Sequence, residues 1–161
     1  MSYLSKYLIE EANAISATAN NLDDKEVNKA LNLLDKCSKS RNKLVLSGVG
    51  KSGIVARKIA ATFSSVGLTA IYLNPLDALH GDIGIVNKDD LCVLLSNSGE
   101  TTELLEILPH LKSRNTSCIG LTAKKNSSLA KGCDVFLSTE VEKEICPLNL
   151  APTASTTVSM A

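Results

Sequence analysis

An α/β fold built on a doubly wound parallel sheet is what this sequence predicts, and three features predict it. Short apolar runs alternate with amphipathic stretches along most of the chain. The runs are continuously apolar instead of alternating, the pattern of strands covered by helices on both faces. Two loops rich in Gly, Ser and Thr, Ser47–Gly53 and Ser96–Thr102, each follow such a run and each open a helical pattern. The expected architecture is a three-layer sandwich around five parallel strands, with ligands beyond the carboxyl ends of the strands, where both loops lie.

The elements follow in order. Leu4, Leu8, Ala12, Ile15 and Ala19 step along one helical face. Val27, Ala30, Leu31 and Leu34 do so again after Asp23, whose spacing to Glu26 predicts a capping box. These two helices fill residues 1–41 and precede an α/β core over 42–161. Lys43–Ser47 is the first strand, followed by the helical stripe Ile54, Val55, Ile59, Phe63, Val66, which ends at Gly67. Further strands are predicted at Ala70–Leu73, Leu91–Ser96, Ser117–Leu121 and Val135–Ser138. Pro109 interrupts the stripe Leu104, Leu105, Leu108, Leu111, so a kink or an early stop is expected there. From Pro152 a last helix begins with Thr153 as cap and ends after about two turns, as if cut short. No linker or repeat divides the 161 residues, which are expected to form a single domain.

Composition removes several classes of function. Seventeen basic residues balance seventeen acidic ones, so no global field attracts nucleic acid or an anionic membrane. With two Phe, three Tyr and no Trp, the chain lacks the stacking platforms that single-stranded nucleic acid favours. The five cysteines include no CxxC pair, and Cys92 and Cys118 sit in apolar runs as small hydrophobes. Reduced thiols, a cytoplasmic setting and no metal or cofactor are the expectation. The N-terminus mixes acids into its apolar positions, unlike a signal peptide, and no apolar run approaches a membrane span.

The loops carry the chemistry. A Gly/Ser/Thr-rich turn at a helix start gathers free backbone N–H groups, hydroxyls and the positive end of the helix dipole, which together suit a phosphate. Gly48-Val49-Gly50-Lys51-Ser52-Gly53 matches GxGxxG, but the second strand ends at Leu73-Asn74-Pro75 without the acidic residue a dinucleotide ribose requires. A phosphate-binding Walker loop fails as well, because Val45 stands where its first glycine belongs. Gly48, Gly50 and Ser52 remain as a tight turn open to an anion.

Each candidate also has a plainer reading. Lys51 could be a solvated loop lysine, yet a positive charge at a helix start opposes the dipole, and an anionic ligand explains it. Ser96, Ser98 and Thr101 could be turn and cap residues, although capping needs only one or two hydroxyls. Glu103 complements the dipole by default, and Glu144 taken alone is a solvent-exposed glutamate. His80 is a surface histidine or, where its loop faces a ligand, a proton shuttle. His110 is given no role.

GVGKSG, the His80-Gly81-Asp82 loop, SNSGETTE, Glu144–Pro147 and the terminal Ala151–Thr157 stretch occur in this order over some hundred residues. Together they resemble a sugar isomerase (SIS) domain, and more narrowly the arabinose 5-phosphate isomerase family. The resemblance implies a flavodoxin-like parallel five-stranded sandwich, a homotetramer with sites near subunit interfaces, and a small phosphorylated sugar as ligand. It places functional roles on Lys51, His80, Glu103 and Glu144, and phosphate binding on Ser96, Ser98 and Thr101. The implied reaction interconverts D-ribulose 5-phosphate and D-arabinose 5-phosphate through an enediolate, in the Kdo pathway of lipopolysaccharide or capsule. In that scheme Glu144, ahead of Glu103, moves the carbon-bound proton, His80 shuttles hydroxyl protons and Lys51 stabilises the oxyanion. The family also extends the last helix, adds a later histidine and appends CBS modules, none of which the sequence contains. A non-catalytic sugar-phosphate sensor is the rival expectation. A nucleotide-binding domain is disfavoured by Asn74.

Overall fold

The computed structural model describes residues 2–161. Helices α1 (Tyr3–Asn20) and α2 (Asp24–Lys39) lead into β1 (Leu44–Gly48), α3 (Gly50–Ser65), β2 (Ala70–Leu73) and α4 (Pro75–Leu79). A 3-10 turn over Asp82–Ile85 connects to β3 (Leu91–Leu95), α5 (Thr102–Ser113), β4 (Ser117–Thr122), α6 (Ser128–Gly132), β5 (Val135–Ser138) and α7 (Ala154–Met160). All strand pairings are parallel, in the order β2-β1-β3-β4-β5.

The continuous apolar runs have the predicted cause. β1 and β3 are buried at every position, and alternate side chains enter opposite layers. Leu44, Leu46, Val93 and Leu95 pack with Ala56 and Ala60 of α3 and with Ala30 and Cys37 of α2. Val45, Cys92 and Leu94 pack on the other face with Leu104, Ile107 and Leu111 of α5 and Leu129 of α6. Cys37, Cys92, Cys118, Cys133 and Cys146 are free thiols. Burial pushes the Cys133 thiol up to about 12, so it stays protonated.

Three local expectations change. Most of the α1 stripe does not face a core: Leu4, Leu8, Ala12 and Ala19 are exposed and Ile15 alone is half-buried, while Glu10, Glu11, Ala14 and Thr18 turn toward the protein. This helix packs on α7 and the segment before it, and polar partners decide its inward face. The Thr18 hydroxyl donates to the Glu140 carbonyl (2.8 Å), and Thr157 donates to Glu11. The capping box at α2 is half formed. Asp23 accepts from Lys25 N, but Glu26 turns to Lys29 and to Phe136 N of β5. Finally, α5 runs through Pro109 to Ser113 without the early stop. Pro109 is exposed, so its ring sits on the solvent side, while buried Leu104, Ile107, Leu108 and Leu111 hold both halves against the sheet.

Candidate active site

Strand order reverses between β1 and β3, which opens a crevice at their carboxyl ends. The helices following these two strands, α3 and α5, start on either side of it. How helices begin elsewhere makes these starts informative. α1, α2, α4 and α6 each open at a side chain that accepts a bond from the first turn: Ser2, Asp23, Asn74 and Ser127. α7 lacks a cap from its own Thr153 but has Glu144 on its first amides, whereas α3 opens at Val49 and α5 at Thr101, neither with a side-chain cap. Their first amides and dipole ends are thus left to whatever occupies the crevice.

The α5 start is built around Ser96. Its buried hydroxyl bonds the Thr101 hydroxyl (2.7 Å), accepts from Gly99 N (3.0 Å) and lies 3.4 Å from the Ser98 hydroxyl. Thr101 thereby turns away from its own helix and joins a cluster of three hydroxyls. Gly99 adopts φ 69°, and a Cβ there would collide with the Ser127 side chain, so the turn admits glycine alone. Glu100 accepts from Ser128 N (2.8 Å) and Leu129 N donates to the Gly99 carbonyl (3.0 Å), fastening the loop to α6.

The α3 start lies against β1. A Cβ on Gly53 would meet the Gly48 carbonyl oxygen at 2.7 Å, so glycine is what allows this helix to sit directly on its strand. Tyr72 donates to that same carbonyl (2.8 Å) under the Arg57 guanidinium, 4.0 Å above its ring. Lys51 projects from the first turn and, among the described residues, takes part in no ion pair.

Lys51 and Ser52 line a cavity of about 500 Å³ with Asn97 and Glu144. Asn97 belongs to the hydroxyl loop, so it joins the two halves of the crevice. The opposite wall is the strap over residues 139–153, which has neither helix nor strand, and the hydroxyl face of α7. Glu144 Oε2 accepts from Thr153 N (2.7 Å), the Thr153 hydroxyl (3.0 Å) and Ser155 N (3.3 Å). Partial burial pushes the Glu144 pKa up, but hydrogen bonds from Ser155 and Thr153 outweigh it and hold the carboxyl below its ordinary value. Glu144 is therefore ionised at neutral pH, in the cavity that Lys51 also lines.

Lys51, Ser52 and Glu144 thus line one cavity; Gly48, Gly50, Ser96, Ser98 and Thr101 do not line it but neighbour residues that do, the glycines next to Val49 and Lys51 and the hydroxyls around Asn97. Two expected residues stand apart. His80 is exposed at the end of α4, and Glu103 lies half-buried in the first turn of α5; neither lines the cavity. Asn97, Ser155, Thr156 and Ser159 line it without having been singled out. The terminal hydroxyl-rich run, quoted only for its resemblance, was the signal that could have found two of them, Ser155 and Thr156. No cluster of metal-ligating side chains occurs among the described residues.

A doubly wound domain with two helix starts open at a switch point, a setting suited to small anions, is the class this arrangement defines. Comparison narrows it: the SIS domain family model matches residues 38–161, and the chain belongs to that family. It is 42% identical over 154 residues to arabinose 5-phosphate isomerase KpsF of Escherichia coli O6:H1, covering 96% of this chain and 46% of that one. Against arabinose 5-phosphate isomerase KdsD of Pseudomonas aeruginosa it is 46% identical over 120 residues, 74% of this chain and 37% of that one. The chain spans less than half the length of these curated relatives. A structure from Escherichia coli CFT073 in complex with arabinose 5-phosphate superposes with a TM-score of 0.88 at 39% identity, covering 98% of this chain and 81% of that one.

Proposed function

We propose that this chain is one functional unit, residues 1–161, which binds a phosphorylated sugar and interconverts D-ribulose 5-phosphate and D-arabinose 5-phosphate. The observation that carries the reading is the pair of uncapped helix starts flanking the switch point, one with three hydroxyls and the other with Lys51 in a cavity shared with Glu144. The hydroxyl loop and the α5 amides hold the phosphate. Glu144 takes a proton from C1 of the ketose, and the freed electron pair forms the C1=C2 double bond while the C2 oxygen gains negative charge. Lys51 stabilises that oxygen. Proton movement between the two oxygens and return of the proton to C2 complete the aldose. The scheme uses side chains alone.

His80 serves as the oxygen-to-oxygen shuttle in this proposal. Because it is exposed and lies outside the cavity of its own chain, it acts in an assembly, which we take to be a homotetramer. Exposed Tyr3, Leu4 and Leu8 on α1 are the apolar surface that supports assembly. The setting is cytoplasmic, with neither nucleic acid nor membrane as partner, and the product feeds Kdo formation for lipopolysaccharide or capsule. No helix among the described residues is long and apolar enough to cross a membrane.

Ribulose 5-phosphate added to the purified protein, with arabinose 5-phosphate read by chromatography, tests the reading. Conversion is expected. Tight binding without conversion favours a sugar-phosphate sensor, and binding of a dinucleotide alone would overturn both.

A further inference from the structure

The run Pro152-Thr153-Ala154-Ser155 carries chemistry that neither phosphate binding nor the roles of Lys51 and Glu144 uses. Thr153 holds the N-cap position of α7, yet it forms no side-chain bond to that helix. An N-cap threonine ordinarily turns its hydroxyl to the first-turn amides. Here the hydroxyl donates to Glu144 Oε2 (3.0 Å), and its oxygen accepts from Ile145 N (2.8 Å). The second bond fixes the direction of the first: with Ile145 N on the Thr153 oxygen, the hydroxyl proton is committed to the carboxylate. The helix is capped instead by Glu144 itself, through the amides of Thr153 and Ser155.

Glu144 thus has one oxygen fully engaged and the other free. Oε2 takes three bonds, whereas Oε1 takes none among the described residues, on a side chain that lines the cavity with Lys51. From the main-chain side, Glu144 N donates to Asn149 Oδ1 (2.9 Å), which closes residues 144–149 of the strap into a small loop.

We propose that Thr153 is a positioning residue for Glu144, orienting its carboxylate so that Oε1 alone is presented to substrate as the proton acceptor. The proposal rests on the isomerase reading of the cavity. A β-branched side chain suits the task, because few Thr153 rotamers compete with the bonded one. Proton transfer depends on a base held in one geometry, and a carboxylate free to rotate about its last torsion loses that advantage. The charges around Glu144 are Lys51 of α3, Glu142 and Lys143 of the strap, and Lys6 and Glu10 of α1 across the strap. All of them persist when the hydroxyl is removed, so a Thr153 variant isolates its contribution.

The test compares wild type with T153V, T153A and T153S in the full chain. The Glu144 carboxyl carbon, assigned with E144Q, is titrated by NMR, and kcat and KM for ribulose 5-phosphate are measured alongside. In T153V and T153A the Glu144 pKa rises and kcat falls on the order of tenfold, the equivalent of one hydrogen bond to a charged group, with KM changed less than about threefold. T153S restores both. An unchanged titration and kcat in T153V and T153A, or a T153S protein as impaired as T153A, would overturn the proposal. T153A adds no bulk and so decides the matter if T153V does not fold. Should wild type neither bind nor convert the sugar phosphate, the isomerase reading fails by itself, while the titration still decides whether Thr153 holds Glu144.

Discussion

Glu144 joins the fold and the proposed chemistry in one side chain. Its carboxylate caps α7 and shares a cavity with Lys51, so substitution has separable effects on stability and turnover. With E144Q, kcat is expected to fall by about 10²–10⁴-fold at nearly constant KM, the signature of a lost general base. Glu103 lies outside the cavity, and E103Q should cost far less in the same assay. The lowered pKa also has a stability consequence with a definite sign. A carboxyl whose folded pKa lies below its ordinary 4.5 contributes stability above that value and loses it as pH falls through the lower folded value. Chemical denaturation of wild type and E144Q at a series of pH values should show a gap that is full above about 4.5 and closes in more acid solution. A gap of constant size would contradict the capping account. At this scale the sequence was legible where a residue's chemistry is local. Lys51 in a glycine turn and Ser96 in a hydroxyl loop pointed to an anion unaided. Glu144 read alone as an exposed glutamate, because its partners Thr153 and Ser155 come from a later element, and only folding brings them to its carboxylate.

Among the elements, the hydroxyl loop is built before any ligand arrives. Ser96 is buried and ties together Thr101 and Gly99 N, so S96A leaves two partners short of a bond. A loss of about 1–3 kcal/mol in unfolding free energy is expected, together with weaker phosphate binding by calorimetry. Unchanged binding would move the phosphate to the α3 start. Element type was the most readable property of the chain. β2 and β5 fall where periodicity places them, since buried parallel strands bounded by turns have few alternatives. Pro109 shows where local rules yield: four buried apolar side chains on one face of α5 outweigh a single lost backbone bond on the other. The α1 stripe shows the opposite failure. Periodicity found the helix and its apolar face, but could not say that this face lies outside the chain's own core.

For the whole molecule, that outward face becomes the feature to test. Leu4 and Leu8 are 68% and 62% exposed, so replacing both with Glu removes little intramolecular packing. Light scattering should report a smaller assembly with the thermal midpoint nearly unchanged; an unaltered mass would exclude this face from assembly. If His80 acts on the cavity of another subunit, mixing inactive H80A and E144Q proteins should restore part of the activity. If Glu144 carries a proton between C1 and C2 through an enediolate, solvent isotope exchange reads that step directly. Ribulose 5-phosphate converted in deuterium oxide should give arabinose 5-phosphate carrying deuterium at C2 with wild type, at a rate that collapses in E144Q. Product formed without solvent deuterium, or labelled equally fast by E144Q, would contradict it.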